Sequence, residues 1–292
     1  MSGCAVKRIL FFGSDAFSKF AFEELLKRST GLEIDCAFVC TESDFAKVAI
    51  NPIILPKSLK EWSPETTYDL GLVASFGSFI PLRIMRRFTT GVLLNAHPSL
   101  LPLYRGAAPI HRTLLKGVKT SGLTILDCDA RDYDAGNIWY QEECDIEGRW
   151  YLELLEYFGR RSGTLFSQII SNFEWYREKR QPQYGPFTLA PRIVKEDAEI
   201  RKTDSAEHVD CVIRAIGHMR YLYFELVDGK LLTLYDPEIG GKICGYRQFG
   251  NRIHFELVNG SVSASVFGVS GKNKRYTATQ IMNMFKQGFL LY

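Results

Sequence analysis

The sequence predicts an α/β chain: an open, mostly parallel sheet layered with helices, followed by a smaller all-β unit. Three observations predict it. Four near-continuous apolar runs, KRILFFG (7–13), LEIDCAFVC (32–40), YDLGLVASFG (68–77) and GVLLNAH (91–97), end in Gly or polar residues, as parallel strands buried on both faces do. Helical periodicity stands between them. After residue 180 the texture changes to short alternating runs with turns at regular spacing, the mark of antiparallel β structure.

In order, Ala16 to Lys27 carries helical period with an acid–base outer face, and Ala107 to Lys116 reads as a second helix ended by Gly117. SGLTILDCD (121–129) and NIWYQEECD (137–145) are two further strands. Tyr151 to Lys179 is helical in period, with Gly159 and Gly163 as expected interruptions. RQPQYGPFTLAP (180–191) holds three of the eleven prolines and has no period, as a linker would. Ser205 to Ile216 is an amphipathic helix. Beyond it five short runs carry the hairpin signals Asp228-Gly229 and Asn259-Gly260, and a last helix covers Thr277 to Lys286. The domains expected are 1–186, a linker 187–203, and a β-barrel at 204–292.

Composition sets bounds. The chain has 292 residues, 46% hydrophobic and 24% charged, with net charge +3; this is ordinary for a globular protein and too mild to require a polyanionic partner. The seven cysteines are scattered, odd in number and contain no C-x-x-C pair, which argues against a disulfide framework and for a reducing compartment. No run is long enough to span a bilayer. There is no G-x-G-x-x-G, no phosphate-binding loop, no H-E-x-x-H and no G-x-S-x-G, so nucleotide, zinc and serine-hydrolase chemistry lack support. His111, His208, His218 and His254 read as surface or locally hydrogen-bonded residues.

The chemistry concentrates in LLNAHPSLLPLYRGAAPIHR (93–112). Asn95 and His97 end the fourth apolar run, and strand alternation projects both to the same side. Ligands of open α/β sheets bind beyond the carboxyl ends of the strands. The run TILDCD leads into an acidic loop, Asp129 to Gly136, expected at an equivalent carboxyl end. A carboxylate there would favour the imidazolium of His97, and an amide with an imidazolium would suit a developing oxyanion. By position Asp129, Asp132 and Asp134 are all candidates.

These residues resemble the signature of folate-dependent formyltransferases: Asn95-Ala96-His97-Pro98-Ser99-Leu100-Leu101-Pro102 followed by Tyr104-Arg105-Gly106-Ala107-Ala108-Pro109-Ile110, with Asp134-Ala135-Gly136 downstream. The resemblance implies a Rossmann-like catalytic domain with an OB-like barrel, no metal, and 10-formyltetrahydrofolate as formyl donor. It implies Asn95, His97 and Asp134 as the catalytic trio, with Asp132 as the alternative acid because the loop is one residue longer than usual. Phe76, Gly77, Ser78 and Ile80, Ser99 to Pro102 (Ser99, Leu100, Leu101, Pro102), and Asp129, Ala130, Arg131, Asp132 and Tyr133 would line the folate pocket. The GAAPI run and the C-terminal barrel resemble the branch acting on initiator methionyl-tRNA, so translation initiation is the implied role. Arg105, Arg192, Lys195, Arg201, Lys202, Lys272, Lys274 and Arg275 would then contact tRNA phosphates. The expected chain is a monomer of the mitochondrial matrix, with the bacterial cytoplasm as the alternative. A formyltransferase for a small amine, a formyltetrahydrofolate hydrolase, and a folate- or RNA-binding protein without turnover are the other readings. Two features depart from the family: the basic insertion after the second strand is missing, and Leu103 stands where a basic residue is usual.

Overall fold

The computed structural model describes residues 6–128, 132–219 and 221–286. They form two compact units, one of residues 1–110, 119–148 and 152–192, the other of residues 111–118, 149–151 and 193–292.

The first unit is a seven-stranded sheet of order β3-β2-β1-β4-β5-β6-β7. Its strands are β1 (Arg8–Gly13), β2 (Glu33–Phe38), β3 (Pro52–Ile54), β4 (Leu70–Ala74), β5 (Leu93–His97), β6 (Thr120–Asp127) and β7 (Ile138–Asp145). The first five pair in parallel. The helices are α1 (Ala16–Arg28), the short α2 (Leu82–Met85), α4 (Tyr151–Ser171) and α5 (Phe173–Lys179), while α3 (Pro109–Leu115) belongs from residue 111 onward to the second unit. Side chains of β1 alternate between two apolar layers. Phe11 packs on Phe22 of α1, Phe45 and Phe166 of α4. Phe12 packs on Phe76, within a layer that includes Ile80, Ile84 and Phe88. Both rings are fully buried, which is why the run shows no polar alternation. Asp15 starts α1 by accepting from Ser18 N–H, with Ser18 Oγ returning to Asp15 N–H.

Three sequence expectations change. First, β6 and β7 are antiparallel, so Asp127 at the end of β6 lies beside Leu94 near the start of β5, while His97 faces Thr124. The acidic loop therefore does not leave from an equivalent carboxyl end, yet Asp134 within it reaches Asn95 and His97. Second, the long helix is not interrupted at its glycines. It breaks at Asn172, and Gly159 and Gly163 are contact points with α1: a Cβ on Gly163 would lie 2.2 Å from the Ala21 carbonyl oxygen, and one on Gly159 would lie 2.8 Å from Phe20 Cβ. The helices approach too closely for a methyl group. Third, the helix expected from Ala107 begins only at Pro109, where the ring's fixed φ suits a first turn.

The second unit carries α6 (Ala206–Ile216), capped by Ser205, and two four-stranded antiparallel sheets. Their strands are β8 (Leu222–Glu225), β9 (Leu231–Leu234), β10 (Glu238–Gly240), β11 (Tyr246–Phe249), β12 (Arg252–Glu256), β13 (Ser261–Ala264), β14 (Val266–Val269) and β15 (Arg275–Thr277), with α7 (Ala278–Lys286) last. The Asp228-Gly229 turn joins β8 to β9, with Gly229 at φ +76°, as its hairpin signal predicts. Among the described residues no helix is long and apolar enough to cross a membrane.

His218 is exposed, as the sequence suggests, whereas His111 is half-buried. Both rings stack on Tyr151, at centroid distances of 4.0 Å for His111 and 4.2 Å for His218, and His111 Nε2 is buried with no hydrogen-bond partner among the described residues. Burial, then the charges of His218 and Arg112, press the His111 imidazole down to about 4, with Asp197 opposing. A folded value below the unfolded 6.5 means that the unfolded chain binds the proton first. Stability is thus complete above pH 6.5 and lost as pH falls towards about 4, by roughly 3 kcal/mol at most. His111→Phe is expected to flatten this slope in urea-unfolding midpoints measured from pH 7 to 4.5; an unchanged slope would assign it to other groups.

Candidate active site

β5 delivers two polar side chains to one spot, and the acidic loop supplies the group that joins them. Asn95 and His97 lie two residues apart and both reach Asp134. Asn95 Nδ2 donates to Asp134 Oδ1 at 3.0 Å, and His97 Nδ1 lies 3.5 Å from Oδ2. Gly106 N–H donates to the same Oδ2 at 2.9 Å. The carboxylate is therefore a hub, nearly closed from solvent at 10% side-chain exposure beside a His97 side chain at 4%. On the other side of the ring, Nε2 is 2.8 Å from the Tyr104 carbonyl oxygen. A carbonyl only accepts, so Nε2 carries a proton and donates it there.

The loop around Asp134 is held in an unusual path. Asp134 has φ +53°, a left-handed conformation that Asp tolerates better than most residues. At Gly136 a Cβ would stand 1.8 Å from the Asp127 carbonyl oxygen, so only glycine lets the loop pass β6. Asp127 fixes the returning strand by accepting from Asn137 N–H and Trp139 Nε1–H.

Of the rival carboxylates, Asp132 is exposed and accepts from the N–H of its own neighbour Tyr133. It does not reach His97 in the way Asp134 does. Asp129, Ala130 and Arg131 lie outside the described residues.

The expected folate-lining residues divide into two kinds. Phe76, Ile80 and Leu101 are buried in the core, and Ser99, also buried, donates to the Leu103 carbonyl oxygen. These side chains shape the loops rather than face outward. Gly77 is exposed, Ser78, Leu100 and Pro102 are half-buried, and Tyr133 is 58% exposed. Ser14 anchors the start of the 75–80 segment by donating to the carbonyls of Ser75 and Phe76. Phe79, within the expected 76–80 segment, is exposed and meets Tyr133 edge to face at 5.4 Å. The Tyr104 carbonyl and the Gly106 N–H have no sequence signal, because backbone groups leave no mark in side-chain patterns.

The cations expected to contact tRNA are placed as follows. Arg105 is half-buried, with Nε and Nη2 donating to Gln183 Oε1 and its guanidinium 5.0 Å from the Phe187 ring. Arg192, Lys202 and Lys272 are exposed. Lys195 lies over Tyr223, Lys274 over Tyr276 and Arg275 over Tyr235, at 5.5, 4.8 and 4.5 Å. Arg201 is paired with Glu199. Leu103 is 40% exposed, so the departure from a basic residue there leaves an apolar rim.

Residues 54–156, which carry β5, the Asp134 loop and β7, match the family model described as formyl transferase. Over about four-fifths of its length the chain is 28% identical to the methionyl-tRNA formyltransferase of Rickettsia massiliae (strain Mtu5), covering 79% of this chain and 80% of that one. By these matches the chain is similar to formyl transferases. The human mitochondrial methionyl-tRNA formyltransferase is likewise 28% identical, over 80% of this chain and 66% of its own length. Among solved structures, HypX from Aquifex aeolicus in complex with tetrahydrofolic acid shares the fold at TM-score 0.64 and 15% identity. It aligns with 98% of this chain, which spans about half of HypX at 48%. WlaRD, a sugar 3N-formyl transferase, aligns at TM-score 0.62 and 15% identity, over 92% of this chain and 100% of its own. The formyl transferase match thus falls on the segment that builds the Asn95–His97–Asp134 constellation.

Proposed function

We propose that this formyltransferase moves the formyl group of 10-formyltetrahydrofolate to the α-amine of initiator methionyl-tRNA. The observation that carries the chemistry is the convergence of Asn95, His97 and Gly106 N–H on the Asp134 carboxylate. The acceptor rests on the GAAPI run and on the two named tRNA-modifying relatives.

Each residue has a task. Asp134 fixes the Asn95 amide with one of its two N–H groups, leaving the second for the formyl oxygen. As the amine lone pair forms the new C–N bond, charge grows on that oxygen, and Asn95 with protonated His97 stabilises it. His97 must exchange its Tyr104 partner to do so, a tightening expected on substrate binding. The amine nitrogen then gives up a proton to the His97–Asp134 pair, which returns one to N10 of the folate as the C–N10 bond breaks. The exposed Phe79–Tyr133 pair and the open backbone at Gly77 fit a flat heterocycle at the donor side.

In this reading residues 1–186 are the catalytic domain and 204–292 a tRNA-binding barrel, joined by 187–203. Arg105, Arg192, Lys195, Arg201, Lys202, Lys272, Lys274 and Arg275 supply phosphate contacts without sequence reading. We assign the chain to the mitochondrial matrix, as a monomer; import of the tagged protein into isolated mitochondria and its sedimentation test both assignments.

Formyl transfer from 10-formyltetrahydrofolate decides the function. Charged initiator tRNA is expected to be formylated, while uncharged tRNA and nucleotide-sugar amines are not. Transfer only to a small amine would overturn the acceptor, and no transfer to any acceptor would leave a binding protein.

A further inference from the structure

The segment 181–190, which the sequence shows only as an irregular Pro-rich linker, lies along both loops of the active site. Gln181 exchanges two backbone hydrogen bonds with Ile138, the first residue of β7. Further on, Tyr104 N–H donates to Thr188 Oγ1, Arg105 N–H to the Thr188 carbonyl, Ala190 N–H to the Arg105 carbonyl, and Ala108 N–H to the Ala190 carbonyl. Between these anchors stands Gln183. Its Nε2 donates to the carbonyl oxygens of Asp134 and Gly136, at 2.8 and 2.9 Å, and its Oε1 accepts from Arg105 Nε and Nη2.

We infer that Gln183 is a positioning residue of the formyl-transfer site: its amide holds the backbone of the Asp134 loop, and so the orientation of the carboxylate that Asn95 and His97 share. This deepens the proposed function and rests on it. Asp134 has a left-handed backbone, a conformation that persists only where its surroundings enforce it. The side chain is tied from one side by Asn95 and Gly106, and the main chain from the other by Gln183. One amide saturates two carbonyls flanking the turn, and no charge is introduced beside the carboxylate. Arg105 completes the arrangement by fixing the acceptor end of the same amide, which sets the direction of its N–H groups without ambiguity.

Two substitutions separate this role from simple anchoring of Arg105. Gln183→Glu keeps an acceptor for the guanidinium but turns an oxygen towards the two carbonyls. Gln183→Ala removes both halves. Both are expected to lower kcat by about 10- to 100-fold, the usual scale for a misplacement of around 1 Å, with KM for 10-formyltetrahydrofolate within about twofold. If Gln183 served only Arg105, the Glu variant would recover wild-type kcat, and that result would overturn the proposal. A substrate-free measurement runs alongside. Amide hydrogen exchange at Gly106, whose N–H is held by the Asp134 carboxylate, is expected to accelerate in both variants. Unchanged exchange would also overturn the inference. Wild-type protein that transfers no formyl group would sink the proposed function alone, since the Gly106 exchange still reads the positioning.

Discussion

Asp134→Asn is expected to lower kcat by about three to four orders of magnitude while leaving the fold intact, on the scale known for an Asn replacing the Asp that orients a catalytic histidine. The reason is donor and acceptor arithmetic. Asp134 Oδ1 accepts from Asn95 Nδ2, and Oδ2 accepts from Gly106 N–H while facing His97 Nδ1. An Asn side chain has one acceptor oxygen and one NH2 group. Whichever way it turns, a donor meets a donor, at Asn95 or at Gly106, and His97 loses its anionic neighbour. Single-turnover formyl transfer with unchanged thermal midpoint checks this. A loss below tenfold would remove Asp134 from the mechanism, and a larger loss for Asp132→Asn would transfer the role to that residue.

How far the sequence carried can be told from the same residues. β5 was legible because a buried parallel strand is a continuous apolar run, and an amide and an imidazole two apart in such a run must share a side. The partner was legible only as a loop with several acids. Its placement depended on strand direction, and nothing in TILDCD distinguishes a parallel from an antiparallel neighbour; the structure shows it antiparallel. Choosing Asp134 over Asp132 needed either the family resemblance or the hydrogen bonds themselves. Gln183 was not legible at all. Its bonds to Arg105 and Asp134 span 78 and 49 residues of sequence, and a lone Gln among prolines has neither period nor charge to mark it. The glycines of α4 show the converse. Read as breaks by propensity, they are packing contacts, because tertiary approach outweighs the roughly 1 kcal/mol intrinsic helix penalty of glycine.

His97→Ala is expected to abolish turnover, by a factor of about a thousand or more in kcat, and to leave tRNA affinity nearly intact. Proton transfer by a positioned imidazole contributes about two to four orders of magnitude, and in the proposed mechanism the same imidazole also stabilises the forming oxyanion, so the two roles would fail together. The affinity argument is geometric. At 3% exposure His97 offers a large polyanion almost no surface, and its ring nitrogens are turned to the Tyr104 carbonyl and Asp134. In the proposed function the grip comes from the exposed cations, whose contribution falls with salt. Filter binding of charged initiator tRNA at two salt concentrations should therefore give the variant and the wild type the same Kd and the same salt slope. An equal slope with a tenfold weaker Kd would place His97 at the aminoacyl end as a binding residue. A changed slope would mean that its loss rearranges the cationic surface, and the separation of grip from chemistry drawn from this site would be wrong.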